Sequence, residues 1–140
     1  MTTLEYATPP EVAPADRPSR AAVVTGWALG ILPAALFIFS ASMKLMRPPG
    51  LEKGFEQQGI PYQYALGLGI LELACTVVYL VPRTAVLGAI LLTGYLGGAI
   101  MTHLRIGQHI YYTHAIMGVM LWLGLYLRDR RLRALIPLRS

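Results

Sequence analysis

Residues 21–43 read AAVVTGWALGILPAALFIFSASM. The run carries no charged side chain, and its apolar residues are continuous rather than alternating. A helix needs about 20 mostly apolar residues to cross the hydrocarbon core of a bilayer. In lipid only helices and closed barrels satisfy every backbone polar group, and an unbroken apolar run reads as a helix. Three further runs repeat the signal, at Tyr64–Val81, Thr84–His103 and Ile110–Leu127. The chain is therefore predicted to be all-α: an integral membrane, antiparallel four-helix bundle over residues 21–129. Residues 1–20 precede it as a disordered cytoplasmic tail and residues 130–140 follow as a basic cytoplasmic tail.

Composition supports this reading. With 140 residues and 55% hydrophobic content and a mean hydropathy of +0.52, little chain is left for a second domain. A soluble helical bundle would show a polar face on each helix, and these runs hardly have one. The pI near 9.7 does not point to nucleic acid. Arg128, Arg130, Arg131, Arg133 and Arg139 lie just past the last span, where cations answer to anionic lipid. Cys75 is the single cysteine, which excludes an intramolecular disulfide and a paired-cysteine redox centre. It reads as a small packing residue.

The tail holds Pro9, Pro10, Pro14 and Pro18 without apolar periodicity, the composition of a segment that cannot build a core. Four spans place both termini on one side. That side carries Arg17, Arg20, Arg83 and the five C-terminal arginines, eight in all, against Lys44, Arg47, Lys53 and Arg105 on the other. The excess predicts termini inside the cell. The second and third helices join through Val81–Pro82–Arg83–Thr84, and the third and fourth through Gly107 and Gln108. Short links make antiparallel neighbours. In the longer first loop, Leu51 and Phe55 lie four apart among Glu52, Lys53, Glu56 and Gln57. This predicts a short surface helix ended by Gly59–Ile60–Pro61. Gly26/Gly30 and Gly94/Gly98 are GxxxG pairs, which intramolecular packing explains and which a homo-oligomer would also use. Pro33 frees the carbonyl of Leu29 and predicts a kink.

Glu72 is the residue that asks for a partner. It lies about 12 Å into the second span, at 1.5 Å per residue, where a carboxylate must pair, protonate or face a wet cavity. Lys44 ends the first span, with Ser40 one turn before it on the same face. Thr102, His103 and Arg105 end the third, and His114 opens the fourth. All four helices thus send polar groups toward the outer half. The alternative for each is structural: a snorkelling lysine, an interfacial arginine, hydrogen-bonded histidines, or a Glu72–Lys44 or Glu72–Arg105 tie. Haem ligation by His103 and His114, or zinc ligation including His109, has no diagnostic spacing here, so no metal site is assigned.

The segments ELA (72–74), VPRTAVLGAILLTGYLGGAI (81–100) and THLR (102–105) resemble the DoxX-like family of small bacterial membrane proteins. SASMK (40–44) and LRDRRLR (127–133) are similar too. The likeness spans roughly residues 24–135, and its matching positions include Lys44, Glu72, Arg83, Thr84, Tyr95, Gly97, Gly98, His103 and Arg105. Gln108–His114 departs from the pattern. The resemblance implies a four-helix protein of the bacterial cytoplasmic (inner) membrane. It also implies a link to redox chemistry, since the family is named after a subunit associated with thiosulfate:quinone oxidoreductase. Three functions follow as expectations. The first is a redox subunit binding quinone or a small oxidisable anion beside an oxidoreductase partner. In it Glu72 and His103 handle protons, while Lys44, Arg105, Ser40, Tyr95 and Thr102 bind the ligand. The second is a binding or transport module using the same pocket. The third is a structural partner of another membrane protein.

Overall fold

A computed structural model describes residues 18–135. Of the expected tails, residues 1–17 and 136–140 lie outside the described residues. Among the described residues six α-helices follow one another. They are α1 (Arg20–Met46), α2 (Leu51–Gln57), α3 (Ala65–Leu80, entered through a 3₁₀ turn at Tyr62–Tyr64), α4 (Ala85–Arg105), α5 (Tyr111–Arg128) and α6 (Arg130–Leu135). No strand occurs among the described residues.

Local chemistry sets the boundaries. The Ser19 side chain accepts a hydrogen bond from the Ala22 N–H at 3.2 Å and starts α1, satisfying one of the amides that a helix start leaves free. The helix runs without interruption through Pro33, which is buried. It ends at Arg47, whose backbone takes the left-handed conformation (φ 50°) and whose N–H returns to the Met43 carbonyl. The expected surface helix is α2, stopped by Gly59 at φ +65°, a conformation glycine adopts without a Cβ penalty.

Arg20–Met46, Tyr62–Leu80 and Ala85–Arg105 are long and apolar enough to cross a membrane. With 18 residues, α5 stands apart from them. Its first turn, Tyr111-Tyr112-Thr113-His114, and its terminal Arg128 dilute an apolar middle. Ile31, Leu32 and Phe39 on α1, Ile70 and Val77 on α3, Leu87 and Ile90 on α4, and Ile116 and Val119 on α5 are all exposed. So large an apolar surface fits lipid contact and not water.

Helix α1 packs on α3 and α5, α3 on α4, and α4 on α5. Phe37, Tyr79, Ala89, Leu92, Leu121 and Leu125 fill the space between them. Glycines set the closest approaches. A Cβ on Gly26 would lie 2.7 Å from the Gly124 carbonyl oxygen, and one on Gly88 only 2.3 Å from the Tyr79 backbone. The Gly26/Gly30 pair is thus consumed inside the chain, by α5 and by the Tyr79 side chain of α3. The Gly94/Gly98 pair is not: an added Cβ at either meets nothing within 4 Å. The basic segment after residue 129 begins as α6, which folds back so that Leu132 joins the core and the Arg133 guanidinium donates to the Tyr126 and Leu127 carbonyls.

Candidate functional site

One stripe of α3 is buried: Ala65, Gly69, Glu72, Cys75, Thr76 and Tyr79. This is the helical period of a face turned inward, and it carries the acid into the bundle. Gly69 lets α1 come close enough to answer it. A Cβ there would sit 2.9 Å from the Lys44 Cβ and 3.3 Å from the Ala41 carbonyl oxygen. Lys44 Nζ then reaches Glu72 Oε2 at 2.7 Å, with 16% and 3% of the two side chains exposed. Ser40, one turn back on α1, closes a triangle. Its Oγ donates to Glu72 Oε2 at 3.2 Å and accepts from Lys44 Nζ at 2.5 Å. Thr76 Oγ1 donates to the Glu72 carbonyl oxygen at 2.7 Å, so the hydroxyl below the acid is satisfied within its own helix.

This triangle borders a cavity of about 770 Å³ between the helices. Tyr95 forms part of its wall. That ring packs edge-on against Phe37, with centroids 6.3 Å apart. His103 and His114 meet across the α4–α5 seam with ring centroids 4.9 Å apart. The Nδ1–H of His114 donates to the Ile110 carbonyl oxygen at 3.1 Å, and the Nδ1–H of His103 to Gln108 Oε1 at 2.8 Å. These bonds engage Nδ1 of each ring. Thr102 also lines the cavity, although its hydroxyl donates back to the Gly98 carbonyl at 2.9 Å.

Ser40, Lys44, Glu72, Tyr95, Thr102 and His103 therefore converge on one volume. Arg105 lies outside its wall. The Nη2 of Arg105 donates to the Gln58 carbonyl oxygen at 2.7 Å, pinning the end of α2 to the end of α4. The Glu72–Arg105 tie is thus not the pairing found. His109 is exposed, with its ring near Tyr111. No three His, Cys, Asp or Glu side chains gather as a metal-ligand set among the described residues.

Three contributors escaped the sequence reading. Leu51 and Phe55 of α2 help roof the cavity, and Gly94 and Gly98 give it room. The amphipathic pattern of α2 hinted at the first, whereas nothing in a GxxxG spacing says which glycines face empty space. The third lies at the opposite end of the helices. Arg128 stands over the rings of Trp27 (4.2 Å) and Tyr79 (5.1 Å), and its terminal nitrogens are buried without a hydrogen-bond partner among the described residues. Stacking on the two aromatic faces holds this cation. Nearby, the Tyr79 hydroxyl donates to the Leu121 carbonyl oxygen at 3.2 Å.

Neither a curated protein nor a solved structure matches this chain. The sequence pattern of the DoxX-like family matches residues 28–126, a stretch that holds the Lys44–Glu72 pair, both cavity histidines and most of the apolar spans. With most of its length covered by that match, this membrane protein belongs to the DoxX-like family.

Proposed function

We propose that the protein is a quinone-binding, redox-associated subunit of the bacterial inner membrane. In this reading it spans the bilayer four times as an antiparallel bundle with both termini cytoplasmic. The outward exposure of Ile116 and Val119 on α5 supports the fourth span. The uneven distribution of arginine and lysine supports the orientation, and in that orientation the cavity belongs to the outer half of the membrane.

The observation that carries the proposal is the Lys44–Ser40–Glu72 triangle at the edge of a cavity of about 770 Å³. A carbonyl-bearing ring fits that donor set. The Lys44 ammonium keeps a third N–H beyond those given to Ser40 and Glu72, Ser40 holds that ammonium in place, and the wall around them is mainly apolar, with Phe37, Tyr95 and Met117 among its members. A bound quinone supplies the electron- and proton-accepting chemistry. The chain's own task is to orient a ring carbonyl on Lys44, which Ser40 positions, and to hold protons on Glu72 and on His103 Nε2. A carboxyl and an imidazole beside a reacting oxygen suit such a task. A chain with one cysteine has no dithiol couple, so the electrons come from an oxidoreductase partner.

A second reading, a binding module without turnover, draws on the same triangle. Lys44 and Glu72 already neutralise each other, as they would in a site built to hold a ligand and not to transform it. One experiment on the protein in detergent or nanodiscs tests the shared core of both. Glu72→Gln and Lys44→Met are expected to weaken equilibrium binding of a water-soluble ubiquinone analogue by about tenfold or more, on the order of 1.4 kcal/mol. Unchanged affinity in both folded variants refutes the quinone site. Quinol oxidation in the assembled complex then separates the readings: only a redox subunit slows it when Glu72 is changed.

A further inference from the structure

The cavity is roofed at one end and open at its side. The roof is α2. Phe55 is buried and packs edge-on against Tyr62 at 5.9 Å, and Arg105 pins the helix end through Gln58. The side is where α1 and the start of α5 both border the cavity. Near the other ends of these two helices their backbones nearly touch, at Gly26, Gly30 and Gly124. Toward the cavity end the two flanks of α1 differ. One flank of α1 there, Ala41 with the Lys44 and Leu45 side chains, is sealed against Gly69 of α3. The other flank carries Leu36, Phe39 and Met43, which border the cavity and yet are 47%, 66% and 36% exposed. Ile110, which caps the start of α5, does the same. Phe39 points away from the buried face of α1, so the cavity it borders reaches the outside of the helix ring.

Resting on the quinone reading above, we infer that the ligand is a long-chain prenyl lipid that enters sideways from the bilayer, between α1 and α5. Its chain stays in the membrane while its head reaches Lys44. The rim is apolar, which disfavours entry by water and polar solutes and suits a hydrocarbon chain. The head site is one helical turn from the rim: Leu36 and Ser40 are four residues apart on α1, so a chain passing Leu36 delivers its head to the Ser40–Lys44–Glu72 triangle. The roof blocks the polar approach, and a ligand already dissolved in lipid has no need of it. The closed polar end and open apolar side thus select for membrane-resident molecules.

Two probes test this in nanodiscs: a head-only dimethoxybenzoquinone and a polyprenyl ubiquinone. The native protein is expected to bind both. Leu36→Trp and Met43→Trp, at exposed positions that leave the core intact, are expected to weaken the polyprenyl quinone by about tenfold while sparing the head-only probe. Thermal melting verifies that the variants fold. If the native protein binds the head-only probe and rejects the polyprenyl one, the cavity is closed and the sideways route is wrong while the quinone site stands. Unchanged polyprenyl binding in both rim variants also overturns the route. Binding of neither probe removes the quinone site and this inference with it.

Discussion

At the scale of single residues, the pair Lys44–Glu72 can be separated into a tie and a site. Removing one partner of a buried pair leaves an uncompensated charge and costs roughly 3–5 kcal/mol, whereas replacing both by apolar residues is often neutral. Lys44→Leu is therefore expected to lower the melting temperature strongly, and Lys44→Leu/Glu72→Leu to restore most of it. The double variant should still fail to bind quinone. A restored melting temperature together with retained binding would mean that the triangle is only structural. Arg128 makes a contrast. Its charge is met by the faces of Trp27 and Tyr79, and no acidic residue of the described chain hydrogen-bonds it. The same residue type thus serves as a stacked anchor at 128 and as a clamp on α2 at 105.

At the scale of helices, glycine does two opposite jobs. At Gly88 it allows α4 to lie on the Tyr79 backbone of α3, where a Cβ would stand 2.3 Å from Cα. At Gly98 it leaves a wall of the cavity open. Gly88→Ala is accordingly expected to cost at least about 1–3 kcal/mol, the range for overpacked cores. Gly98→Ala has nothing to strike and gains helix propensity of up to about 1 kcal/mol, so its fold should be retained. Melting curves of the two variants check this; equal losses would show that both glycines sit at helix contacts. Both are equivalent in sequence, as small residues in an apolar helix, and only the neighbour across the gap tells them apart.

At the scale of the whole molecule, the open matter of α5 has a direct readout. In a Cys75→Ala background, single cysteines at the exposed positions Ser19, His109 and Ala134 report sidedness to a membrane-impermeant maleimide. Four spans with cytoplasmic termini predict labelling of His109→Cys in intact cells and protection of Ser19→Cys and Ala134→Cys. Labelling of Ala134→Cys with protection of Ser19→Cys would make the number of spans odd and remove α5 from the membrane. The apolar outer surface of α5 favours the first outcome, and its polar first turn is the reason the test is needed.

Much of this protein was legible before any coordinates. Helix α1 could be read from residues 21–43 because length and unbroken apolarity are one-dimensional properties, and lipid admits few backbone solutions. Surface helix α2 was legible because Leu51 and Phe55 repeat at the helical period. Glu72 announced itself because an acid in an apolar run is costly wherever the helix points. What remained hidden was every choice between neighbours. Lys44 rather than Arg105 answers Glu72, because Gly69 brings α1 close to α3 while Arg105 is drawn away to the end of α2. Gly26 is filled by α5 and Gly94 faces open space, because helix rotation and separation are set by side chains from distant parts of the chain. Spacing along a sequence records which residues share a face; which partner stands opposite that face is settled only when the helices pack.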